Sequence, residues 1–243
     1  MEHELGLTSL FNDYLAGLAN AILSMVGMTA EHAERPWQNW LVMELLVVAL
    51  LMVTVAILRA RLSVDKPGKL QHIFEMVWGF INDTVDQVGI HHGEIYAPYI
   101  ATVFILILSC NLIGMIPGLE APTMVPYVPA GLAIVTFIYY NFRGFQANGI
   151  GYLKHLAGPV AWLAPLMIPI ELISHFVRPL SLTVRLYGNM FAGEQVTNVF
   201  LDLTKLVIPV VFMALHLFVA FVQAYVFTLL TTIYVSTATS HEH

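Results

Sequence analysis

Residues 179–194 read PLSLTVRLYGNMFAGE, and this stretch decides how the rest of the chain is read. Arg185 stands inside a long apolar run, with Asn189 four residues on and Glu194 nine residues on. A cation at the centre of a bilayer costs about 2.5–3.5 kcal/mol even on lenient insertion scales, so an arginine kept there points to a function. The surrounding composition supplies the membrane. The 243 residues are 58% hydrophobic and 11% charged, with a mean hydropathy of +0.76, outside the range of ordinary soluble domains. A net charge of −6 without a clustered basic surface argues against nucleic acid as a partner. The single cysteine, Cys110, lies in an apolar run, where it fills packing space and excludes a disulfide framework. The N-terminal MEHELG lacks the positive n-region of a cleavable signal and is expected to stay in the mature chain.

Working outward, the pattern predicts one all-α integral membrane domain over 1–243, with five membrane-embedded helices and an amphipathic helix on the cytoplasmic surface. Residues 1–36 form an extracytoplasmic N-terminal segment, in which 15–28 is apolar but short, as in an interfacial or re-entrant piece. The first span occupies 37–58, interrupted only by Glu44. Arg59, Arg61, Lys66 and Lys69 follow it, four of the ten basic residues, which makes that side cytoplasmic and puts the N-terminus outside. Over 66–90, Leu70, Ile73, Phe74, Val77, Trp78, Ile81, Val85 and Val88 keep a 3.6-residue period, so this helix is expected to lie along the surface with Asp83 and Asp86 solvated. His91, His92 and Glu94 are metal-ligand types at no standard spacing, which reads as a polar loop with no metal. A second hairpin is expected over 97–142, returning to the cytoplasmic side at Arg143.

The last unit, 158–236, is expected to be a long, strongly tilted helical hairpin that turns near residue 204. Its second arm, 206–234, would span about 44 Å against a hydrocarbon core of about 30 Å, so it must tilt or bend. Pro165, Pro169, Pro179 and Pro209 are candidate bends. On an ideal helix Glu171, Arg178, Ser181 and Asn189 fall within about 40° of Arg185, with Glu194 about 180° away. On the second arm His216, Gln223 and Tyr234 form their own stripe. Counting from the turn gives three levels: Glu194 with His216 toward the outside, Arg185 with Gln223 in the middle, and Glu171 with Tyr234 toward the cytoplasm. This is the layout of a proton route interrupted by a fixed positive charge. Buried Glu, His, Gln and Ser also link helices by hydrogen bonds alone, and Arg178 near the cytoplasmic side is placed to snorkel. Arg185 differs, because its own chain offers no carboxylate at its depth on its face.

These residues resemble subunit a of the rotary F-type ATP synthase. The likeness runs through PLSLTVRLYGNMFAGE and through HLFVAFVQAYVFTLLTTIY at 216–234, more weakly through KPGKLQHIFEMVWGFIND at 66–83 and Asn111, and covers most of the chain from about residue 37. The resemblance implies that Arg185 faces a ring of c subunits, each carrying one ionisable carboxylate, with peripheral-stalk b subunits as further partners. It implies that Glu194, His216, Asn189 and Gln223 border an outer half-channel and that Glu171, Ser174 and Tyr234 belong near the cytoplasmic one, with Ser181 on the same stripe. Protons are the implied cargo, no cofactor is implied, and the chain is no enzyme by itself. A bacterial inner membrane with a cytoplasmic C-terminus fits this reading. The chain departs from the family pattern before the third span, where 123–127 has no acidic or amide residue and Glu120 is the nearest acid. Two other readings remain: a self-contained ion channel or antiporter, which needs its own carboxylate opposite Arg185 and usually an inverted repeat, and an intramembrane protease using Ser181 and His216, for which no nucleophile elbow exists.

Overall fold

The computed structural model describes residues 5–25, 35–64, 66–90, 93–116, 118–149, 152, 164–203 and 207–239. Among them the chain is helical: α1 (Gly6–Met25), α2 (Asn39–Ala60), α3 (Lys69–Val88), α4 (Ala97–Ile113), α5 (Tyr127–Asn148), α6 (Ala164–Leu203) and α7 (Val207–Thr239), with short 3₁₀ turns at Gly93–Ile95 and Pro122–Met124. Helices satisfy their own backbone groups, which hydrocarbon cannot do for them. α2 and the Val210–Thr239 part of α7 are long and apolar enough to cross a membrane, and α4 is apolar but shorter. Only 17% of each long apolar window is buried inside the protein. The core helix of a soluble protein would be largely covered, and these are not.

The amphipathic helix expected over 66–90 is found as α3, Lys69–Val88. It begins after Pro67-Gly68 and ends at Gly89, whose φ of 72° is the left-handed cap that only a residue without Cβ adopts cheaply. Its second half buries Ile81, Thr84 and Val85, while Leu70, Ile73 and Met76 remain exposed and Asp83 and Asp86 point to solvent. Two boundaries differ from expectation. The helix of the N-terminal segment starts at Gly6, well before residue 15. It is tied to the following span by Asn12, whose Nδ2 donates to the Trp37 carbonyl (3.1 Å) and whose Oδ1 accepts the Trp37 amide (2.9 Å). The helix expected to reach Arg143 runs further: α5 extends to Asn148, with Arg143 over the rings of Tyr96 (5.7 Å) and Tyr139 (5.4 Å), and Gly149, at φ 53°, stops it. His91 and His92 lie outside the described residues.

The core gathers on α4, whose Ile100, Phe104 and Ile107 belong to one cluster with Ala133 and Tyr140 of α5, Leu182, Leu186 and Met190 of α6, and Ala220, Ala224 and Phe227 of α7. Ala220 and Ala224, one turn apart, keep that face of α7 thin enough for a neighbouring helix to come close. Thr228, Thr231 and Thr232 are buried there too, each returning its hydroxyl to the carbonyl four residues back. Cys110 packs with Val47 and Ile113 in a second small cluster. Asn111, fully buried, joins three elements: its Nδ2 donates to the Ala220 carbonyl of α7 (3.1 Å), and its Oδ1 accepts the Thr123 hydroxyl (2.8 Å) from the loop before α5. Asn111→Leu leaves the buried Thr123 hydroxyl without its acceptor and removes the tie to the Ala220 carbonyl, and is expected to destabilise the protein by about 1–3 kcal/mol. Since Cys110 is the only cysteine and is buried, its reaction with a thiol-specific maleimide during heating reads the loss directly.

Candidate functional site

α6 carries two faces one residue out of step. Leu182, Leu186 and Met190, spaced four apart, are buried in the core. Arg185 and Asn189 stand one position earlier on the helix and are exposed, in company with Val184 and Leu180, which are 58% and 60% exposed. Arg185 makes no hydrogen bond or ion pair among the described residues, and none joins it to Gln223, which is half-buried on α7. Ser181 is half-buried and Ser174 exposed.

Contacts between α6 and α7 show how the helices run. Phe200 stacks on Phe212 (4.1 Å), Gly193 faces His216, and Arg178 lies over Tyr234 (5.2 Å), so residue numbers fall along one helix as they rise along the other. Near the first of these contacts a cavity of about 410 Å³ is lined by Glu194, Thr197, Asn198 and Leu201 of α6, Met213 and His216 of α7, and the segment just after α4. Glu194 bonds to Asn198, and Glu120 of the loop before α5 lies close enough to act on it electrostatically. His216 is 9% exposed, and its Nδ1 is buried without a hydrogen-bond partner among the described residues. The imidazole occupies the space that a side chain at Gly193 would take: an added Cβ would collide with Nδ1. Gly193 is therefore part of the site, although PLSLTVRLYGNMFAGE marks only its charged and amide positions as chemical.

At the other end of α6, Arg178 is held twice by its own chain. Its Nη2 lies 3.5 Å from Glu171 Oε1, and its guanidinium covers the Tyr234 ring. Snorkelling alone does not describe it. Beside this group His175 Nε2 is 2.9 Å from Asn141 Oδ1, which also accepts the Tyr152 hydroxyl at 3.0 Å, and Asn141 Nδ2 donates to the Phe137 carbonyl. Sequence reasoning passed over His175, Asn141 and Tyr152. They stand on separate elements at unrelated spacing, and only the packing of α5 against α6 brings them together.

Residues 41–236 match the family described as ATP synthase A chain. The chain belongs to that family. A protein of Solibacter usitatus named ATP synthase subunit a is 60% identical over 235 residues, covering 96% of this chain and 100% of the relative. Proteins of the same name from Koribacter versatilis and Bdellovibrio bacteriovorus are 48% identical over 244 residues and 46% identical over 175. The first of these two spans 100% of both chains, and the second 72% of this chain and 76% of the relative. Membership in the ATP synthase A chain family accords with the exposed apolar faces of α2 and α7 and makes this a membrane protein. The matched stretch holds both ends of the polar array on α6 and α7.

Gly193→Ala is expected to overpack the Gly193–His216 contact and destabilise the protein by about 1–3 kcal/mol. Gly131→Ala, at a position with open space around it, should be neutral or stabilising by up to about 1 kcal/mol. Thermal midpoints followed through Cys110 compare the two.

Proposed function

We propose that this chain is the stator of a rotary proton channel: it protonates and deprotonates carboxylates on a passing ring of c subunits through two offset half-channels. The observation that carries the reading is Arg185, exposed on a helix whose adjoining face is core, with no anionic partner among the described residues. In this reading five helices, α2 and α4 to α7, are membrane-embedded, α6 and α7 form a tilted hairpin, and α3 lies on the cytoplasmic surface of a bacterial inner membrane. The N-terminus is outside and the C-terminus is cytoplasmic. Peripheral-stalk b subunits hold the assembly against the torque.

A proton enters from outside through the cavity beside Glu194 and His216, whose volume of about 410 Å³ admits several waters at roughly 30 Å³ each. It neutralises a rotor carboxylate, which then faces lipid without the cost of a bare charge. After nearly a full turn the carboxylate reaches the cytoplasmic half-channel near Glu171, Ser174 and Tyr234, and the approach of Arg185 favours its ionised form. Ser181, Asn189 and Gln223 border the path between the two levels. Because a guanidinium stays charged at any working pH, Arg185 also separates the half-channels and stops protons from crossing directly. Each proton moving through 100 mV supplies about 2.3 kcal/mol, so several are summed for each ATP made by other subunits.

Arg185→Lys in the assembled complex is expected to abolish proton-driven ATP synthesis while assembly stays intact, because a lysine loses its proton more readily and lacks the planar fork; normal synthesis would refute the assignment. Vesicles holding this chain without its ring should carry no proton current, whereas current there would favour a self-contained channel. His216→Ala should slow proton uptake from outside more than release, read as the two half-reactions in vesicles of opposite orientation. Equal slowing would leave the histidine a structural role only.

A further inference from the structure

A second cavity, of about 540 Å³, lies between α2, α3 and α4, away from every residue placed on the proton route. Its α2 wall is one continuous stripe, Val48, Leu51, Met52, Val55, Ala56 and Arg59, closed by Phe74 of α3 and by Thr102, Ile105 and Leu106 of α4. The wall offers no free polar group below Arg59, since the Thr102 hydroxyl donates to the Pro98 carbonyl at 2.7 Å. We propose that this groove binds an anionic phospholipid, with an acyl chain along α2 and the phosphate against Arg59.

Three features select that occupant. The first is length. Val48 to Arg59 rises about 16 Å along the helix, roughly half of a 30 Å hydrocarbon core, so the groove runs for one leaflet and stops. A transmembrane helix of another protein would need a groove of full depth. The second is charge. Arg59 is exposed at the mouth and makes no ion pair among the described residues. Arg61, Lys66 and Lys69 stand in the same connection, where Asp65 is the single carboxylate between residues 59 and 71. A phosphate with net negative charge is attracted there, whereas a choline headgroup brings its own cation into the cluster. The third is the neighbourhood: α3, which lends Phe74 to the groove, leaves Leu70, Ile73 and Met76 exposed beside these cations, as a helix at a lipid headgroup boundary does. A lipid seated here bridges the surface helix to two spans.

The whole ATP synthase complex, placed in phosphatidylcholine nanodiscs, tests this with two trace probes that share a diazirine-bearing acyl chain, one a phosphatidylglycerol and the other a phosphatidylcholine. The phosphatidylglycerol probe is expected to label Leu51, Met52 or Val55 of α2 and Ile105 or Leu106 of α4 in preference to the phosphatidylcholine probe. Arg59→Gln should lower that preference by about fivefold, the effect of one cation near an anionic surface, and Arg59→Lys should keep most of it. Equal labelling by both probes, or labelling indifferent to Arg59→Gln, would reduce the groove to ordinary lipid contact and overturn the proposal. So would absence of lipid label with the same residues crosslinked to another polypeptide.

Discussion

A guanidinium cannot discard its charge in hydrocarbon as a lysine or a carboxylate can, so each arginine on α6 must be given an environment. The helix contains two, Arg178 and Arg185, seven residues apart and therefore on nearly the same face. Glu171 lies seven residues before the first and meets it at 3.5 Å, while Tyr234 of α7 covers it from the other side. The equivalent position seven residues beyond Arg185 is Ala192. One carboxylate serves one arginine, and Arg185 is left exposed with Asn189 on a face where the remaining large side chains are apolar. Among the described residues no carboxylate balances it.

That exposure has mechanical consequences for the rest of the fold. A charge acts strongly on another group only over a few ångströms, so its placement depends on a backbone fixed from behind. Leu182, Leu186 and Met190 do this by entering the core shared with Ala220 and Ala224 of α7 and with α4. Asn111 then ties α7 to α4 and to the loop before α5 through two hydrogen bonds in a region without water to compete. The small residues and the buried amide serve the same end: they hold the inner face of α6 so that its outer face is presented at one height and one angle.

Much of this was legible in the sequence because it depends on periodicity. The 3.6-residue repeat of 66–90 places α3 to within a few residues, and the apolar run before Arg59 gives α2. The spacing of Glu171, Arg178 and Arg185 puts them on one stripe before any coordinates are consulted. What periodicity omits is rotation between helices. Nothing in the string shows that His216 rests on Gly193, that His175 reaches Asn141, or that Arg143 lies over two tyrosine rings. Glycine is the harder case, since its contribution is the absence of a side chain, and a sequence scanned for reactive groups passes over it.

The contact between Gly193 and His216 also bears on how the two ends of α6 differ. Around Arg178 most polar groups have partners: Glu171, Arg178 and Tyr234 form one set and His175, Asn141 and Tyr152 another, although the Tyr140 hydroxyl packed against them makes no hydrogen bond among the described residues. Near the cavity the arrangement is open. Glu194 is shared between Asn198 and the field of Glu120, and the His216 Nδ1 is left without a partner. A buried polar atom with no bond costs about 1–3 kcal/mol unless water or a moving proton supplies one. A closed network resists change in protonation because each loss breaks a partner's bond, whereas an open one exchanges protons with little rearrangement. The cavity end is thus the better suited of the two to proton exchange, and the Arg178 end to holding fixed charge.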